Sequence, residues 1–200
     1  MNFNEMLEIV LESEGVYSYH PADRGARTVF GISEKWYPDW QGWEILDSIL
    51  SDYPEYNKQF VGKIPVELEI NITHNLKNQV QEWYYNAVFK PLRLEEVSDK
   101  LQLLVFDLAV NSGNKRAIKK LQKVIKHFGE DVVVDGLIGD KTLGALHSVL
   151  INMSDESFCN QYLLERLDVY IEAVVYNKNN KKFFYGWCRR IRKLHNIITN

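Results

Sequence analysis

Phe3, Met6, Leu7, Val10 and Leu11 recur at the spacing of a helix with one buried face, and the next position on that stripe is Glu14. The pattern predicts a helix from about Asn4 to Glu14, with Asn2 or Asn4 as N-cap and Gly15 as its stop. A loop of Gly, Pro, Asp and Ser follows. "WEILDSILSDYP" reads as a short helix ended by Pro54, whereas Val66, Leu68, Ile70 and Ile72 alternate, so "PVELEINITHN" reads as a short strand or irregular chain. Helical spacing returns from His74 to Phe89, before Pro91. The stretch 94–113 is apolar almost all round between Leu101 and Val110, as expected of a central helix stopped by Gly113. Further helices are expected at about Lys115–His127, Lys141–Val149, Asp155–Tyr176 and Phe183–Ile198, with "NKNNKK" as a polar joint. The chain has no internal repeat and no Pro- or Ser-rich linker. The expected class is mainly α, in two lobes meeting near residues 91–98.

Composition changes this picture little. Hydrophobic residues at 46% and charged residues at 26% fit a globular chain with a real core rather than disorder. The formal net charge of -3 argues against a general nucleic-acid binder, although the C-terminal end is basic. Cys159 and Cys188 fall in expected helices far apart in sequence, and free thiols are expected. The N-terminal stretch carries Glu rather than Lys or Arg and is interrupted every turn, unlike a signal peptide, and no apolar run is long enough to span a membrane. Synthesis in the cytoplasm without a signal peptide is expected, with action on the cell wall or in the periplasm after export.

Glu14 raises the first chemical question, because an ionised carboxylate is expensive to remove from water. Desolvation raises the pKa of a carboxyl group, which suits a proton donor to a glycosidic oxygen. Asp23 and Thr28 follow in a glycine-rich loop and suit the second task, holding or deprotonating water. Spacing alone leaves a structural capping role equally open.

The stretch "EGVYSYHPADRGARTVFGIS" (residues 14–33) resembles the signature of glycoside hydrolase family 108, bacterial and phage N-acetylmuramidases. That pattern begins Glu-Gly-Gly-Tyr and continues through Pro-Ala-Asp-x-Gly-Gly-x-Thr to Gly-Ile. "FDLAVNSGNKRAIKKLQKVI" and "VDGLIGDKTLGAL" are similar to the family's second, peptidoglycan-binding-like module. The resemblance implies a lysozyme-like helical lobe over 1–95 and a helical peptidoglycan-binding-like module over 96–200. It also implies that Glu14 is the catalytic acid and that Asp23 and Thr28 fill the family's Asp and Thr positions. Val16 and Ala26 replace glycines of the pattern, and a side chain there would narrow the cleft if either position required positive φ. Some relatives carry the label of secretion activator.

Other residues have two readings each. Tyr17 and Tyr19 are candidates to stack on sugar rings or to pack in the core. His20 is a candidate cleft-lining loop histidine; a metal site with Glu14 and Asp23 is the weaker reading, and no metal or other cofactor is expected. Asn111 either binds substrate at a helix end, as the resemblance implies, or caps that end. The "VDGLIGDKTLGAL" turn marks the fold and needs no calcium. Lys178, Lys181, Lys182, Arg189, Arg190, Arg192 and Lys193 contain no acid among them. A single-stranded nucleic-acid site is one reading of them, and the solvated face of an amphipathic helix, steering anionic cell-wall polymer, is the stronger.

The expected activity is therefore hydrolysis of peptidoglycan glycan strands by a monomer, with no nucleic-acid partner and no membrane insertion. A lytic transglycosylase would use the same glutamate. A catalytically silent wall-binding or secretion-accessory protein is the rival class.

Overall fold

The computed structural model describes residues 1–20 and 26–199. The chain is mainly α and divides into two compact units, Phe3–Asn86 and Ala87–Asn200, the latter including Met1–Asn2. The first unit contains α1 (Phe3–Leu11), β1 (Tyr17–Ser18), β2 (Thr28–Val29), β3 (Ile32–Ser33), α2 (Gly42–Leu50) and α3 (Val66–Tyr84).

Helix α1 stops three residues earlier than its apolar stripe suggests. Past Leu11 the bonds shorten to i→i+3: Ser13 N donates to Val10 O at 3.3 Å and Glu14 N to Leu11 O at 2.9 Å. Glu14 thus sits on a tightened turn rather than on the helix itself. The alternating segment 66–72 is helical, correcting the strand-like reading. Leu68, Ile72, Leu76, Val80 and Tyr84 are buried at steps of four, one stripe of a helix, while Val66 and Ile70 are 64% and 63% exposed. Glu67 and Glu69 in the first turn, after Pro65, complement the positive end of the helix dipole.

The three short strands form an antiparallel sheet in the order β1-β2-β3, an element no periodicity announces at two residues per strand. Its pairs are Tyr17 with Val29, Ser18 with Thr28, Thr28 with Ser33, and Val29 with Ile32. Directly opposed residues share a face. Tyr17, Val29 and Ile32 therefore form the buried face, and Ser18, Thr28 and Ser33 form a half-buried row of hydroxyls on the other.

The second unit contains α4 (Asp99–Ser112), α5 (Asn114–His127), α6 (Asp140–Asn152), α7 (Asp155–Tyr176) and α8 (Lys181–Thr199). Leu101 and the run Leu103–Ala109 are buried, as the all-round apolar pattern predicts for a central helix. Asp107 lies within that run and meets two guanidinium groups. Arg166 of α7 pairs with it, and Arg190 of α8 donates to it from Nε at 3.1 Å and from Nη2 at 2.9 Å. The turn before α6 is closed by buried Gln122. Its Nε2 donates to Asp135 Oδ1 at 2.8 Å and to Leu137 O at 2.9 Å, and its Oε1 accepts from Gly136 N at 2.8 Å. Cys159 and Cys188 are both free thiols.

Candidate active site

Glu14 is half-buried, and its carboxyl group lies over the turn between β2 and β3. That turn has two residues, Phe30 at φ 46° and Gly31 at φ 79°. Positive φ at both central residues is the signature of a type I′ hairpin turn, whose twist matches the flanking strands. A Cβ placed on Gly31 would stand 3.0 Å from Tyr84 Oη, 3.5 Å from Glu14 Oε2 and 3.9 Å from Glu14 Cδ. Glycine thus serves twice, adopting the left-handed conformation and leaving room for the Tyr84 hydroxyl, with the Glu14 carboxyl group at ordinary contact distance.

Phe30 is the strained member, since left-handed backbone is rare for a bulky residue. Its surroundings hold it there. Tyr84 Oη donates to Phe30 O at 2.6 Å, and Phe30 N donates to Val16 O at 2.9 Å. Its side chain is 8% exposed and shares with Leu7, Leu11 and Val80 the lining of a recess of about 330 Å³. Tyr84 lies within the helical stretch expected from His74 to Phe89, where the spacing marks it as a packing residue and gives no sign of a role at the site.

Thr28 stands on β2, half-buried between Ser18 and Ser33. Beside it Arg27 is buried. Its Nε donates to Glu34 Oε2 at 3.0 Å and its Nη2 to Glu34 Oε1 at 2.5 Å, Nη1 pairs with Asp47 of α2, and the guanidinium lies 5.5 Å from the centre of the Trp43 ring. The hydrogen bonds to Glu34, against the opposing effect of burial, hold the guanidinium even more firmly protonated than usual. Arg27 thereby fixes the start of β2 to α2, and so the register of Thr28. It too was missed, because its partners lie 7 and 20 residues away.

Asp23 lies outside the described residues. His20 is half-buried at the beginning of the connection that carries it. Of the two readings of Tyr17, packing is the one the geometry gives. The side chain is 7% exposed, its hydroxyl donates to Tyr56 O at 2.9 Å, and its ring lies 5.7 Å from that of Phe60. Burial pushes the Tyr17 phenol well above its usual range, so it is a neutral hydrogen-bond donor. Asn111 belongs to the second unit, where it is exposed near the end of α4 and accepts a hydrogen bond from Ser112 Oγ at 3.2 Å. Val16 does not have positive φ, so the backbone at that position does not demand glycine.

Residues 7–113 match the family model described as Glycosyl hydrolase 108, and residues 116–192 match the one described as Predicted Peptidoglycan domain. Comparison with curated proteins gives no match. Among solved structures, one titled Structure of Brucella abortus SagA aligns over 97% of this chain and 91% of its own, at 24% identity and a TM-score of 0.60. At that identity the likeness speaks for the fold.

Proposed function

Because the chain belongs to the glycosyl hydrolase 108 family, we propose that it hydrolyses peptidoglycan glycan strands as an N-acetylmuramidase, with Glu14 as the general acid. The observation that carries this reading is the half-buried Glu14 carboxyl group beside the Phe30–Gly31 turn, next to the strand that carries Thr28. A carboxyl group partly withdrawn from water beside a fixed hairpin turn suits proton donation to a glycosidic oxygen. The matched peptidoglycan domain over 116–192 supports the same polymer as its partner.

In this mechanism Glu14 protonates the leaving oxygen as positive charge develops on the sugar ring. Asp23 and Thr28 are assigned to the attacking water, the first as base and the second as a hydrogen-bonding hydroxyl. Attack from the opposite face inverts the anomeric centre, which needs carboxyl groups roughly 6.5–9.5 Å apart.

Purified sacculi incubated with the wild-type chain are expected to release muropeptides with new reducing ends, and Glu14→Gln is expected to release essentially none while keeping the wild-type thermal midpoint. Anhydro-muropeptides would instead identify a lytic transglycosylase. No release by the wild type would leave a wall-binding protein without catalysis.

A further inference from the structure

The end of the α7–α8 hairpin exposes apolar side chains that nothing in the fold requires at the surface. Tyr176, the last residue of α7, is 96% exposed, Val175 is 76% exposed, and Tyr185 in α8 is 74% exposed. Lys178, in the short 3-10 turn between the helices, and Lys181 and Lys182, at the start of α8, lie between Tyr176 and Tyr185 in sequence and are exposed as well. The two lysines of the first turn of α8 oppose its dipole, a local arrangement unfavourable for the helix itself. No carboxylate occurs in the sequence after Glu172, while seven of the 24 Lys and Arg residues fall there. The other 17 share the rest of the chain with all 27 carboxylates, so the hairpin is the cationic extreme of an acidic protein.

We propose that this hairpin end docks on an anionic phospholipid surface. The lysines meet the headgroups, the tyrosines sit at headgroup depth with apolar ring and polar hydroxyl both satisfied, and Val175 reaches the acyl boundary. The contact is peripheral, because no helix among the described residues is long and apolar enough to cross a membrane. A soluble polyanion such as a nucleic acid would use the lysines but would leave Val175 in water, so the combination favours a lipid surface. Arg190 takes no part, being committed to Asp107, and that pair sets how α8 lies against α4.

Cosedimentation of the full chain with vesicles tests the assignment. Wild type is expected to partition onto phosphatidylglycerol/phosphatidylcholine vesicles and not onto phosphatidylcholine alone. Replacing Lys178, Lys181 and Lys182 together by Gln is expected to weaken partitioning by about a hundredfold at low salt. The double variant Tyr176→Ser/Tyr185→Ser, with every cation kept, is expected to weaken it by about tenfold. All five side chains are exposed, so circular dichroism and thermal midpoint should match wild type. Absence of wild-type binding to the anionic vesicles overturns the proposal. So does unchanged binding by the tyrosine variant, the result a cation-only polyanion site would give. Glu14→Gln should bind vesicles as wild type does, which keeps this question apart from catalysis.

Discussion

Phe30 and Gly31 are the residues on which the proposed site turns, and they differ in what a substitution would do. Gly31→Ala would place a methyl group in left-handed backbone 3.0 Å from the Tyr84 hydroxyl. The conformational strain alone is about 1–2 kcal/mol. Urea unfolding should show a loss of that size, and digestion of sacculi by the folded fraction should fall as well, because the methyl group presses on the Tyr84 hydroxyl that holds the turn beside Glu14. The phenylalanine explains why the hairpin is invisible in the sequence. Such turns are signalled by Asn-Gly or Asp-Gly, whereas "VFGIS" places a bulky residue at the first left-handed position, which only the bonds from Tyr84 and to Val16 and the burial of its ring make tolerable. Cys159 gives a separate test at the same scale. Burial pushes its thiol up to about 12 from an ordinary 9.0. The folded thiol stays neutral where the unfolded one ionises, so its contribution to stability is whole below pH 9.0 and is lost as the pH rises toward 12. Alkylation at pH 8 followed by mass spectrometry should leave Cys159 unmodified in the native protein and label it after denaturation.

At the scale of elements, α3 shows how two periodicities compete for the same residues. Val66, Leu68, Ile70 and Ile72 alternate over four positions, yet the burial of Leu68, Ile72, Leu76, Val80 and Tyr84 follows a helix over five turns. The longer pattern wins because it has more apolar area to bury, and Val66 and Ile70 are left in solvent. Ile72→Ala should therefore destabilise by about 2–5 kcal/mol, and Ile70→Ala should stay within about 0.5 kcal/mol of wild type in the same denaturant titration. A strand in this segment would make the two substitutions equivalent, since residues two apart share a strand face. The same contrast explains α1. Its stripe is legible to Leu11, but the tightened turn that carries Glu14 away from the helix is set by hydrogen bonds and leaves no mark in the apolar spacing.

At the scale of whole units, a buried carboxylate in the second unit joins three helices through two guanidinium groups. Asp107 is 1% exposed, and Arg166, fully buried, and half-buried Arg190 converge on it, tying α4 to α7 and α8. Asp107→Ala would leave the fully buried Arg166 and the half-buried Arg190 without their counter-charge, a change of about 3–5 kcal/mol measurable by chemical denaturation. The sequence alone determined the helical class, most of the helices, and Glu14 at the end of an apolar stripe within a family motif, because each depends on residues a few positions apart. Tertiary structure decided the rest: the Phe30–Gly31 turn under the carboxyl group, Tyr84 reaching it across 54 positions, Arg27 meeting Asp47, and Asp107 meeting Arg190 across 83. Helical periodicity is encoded locally, whereas these partners meet only after the elements that carry them have docked.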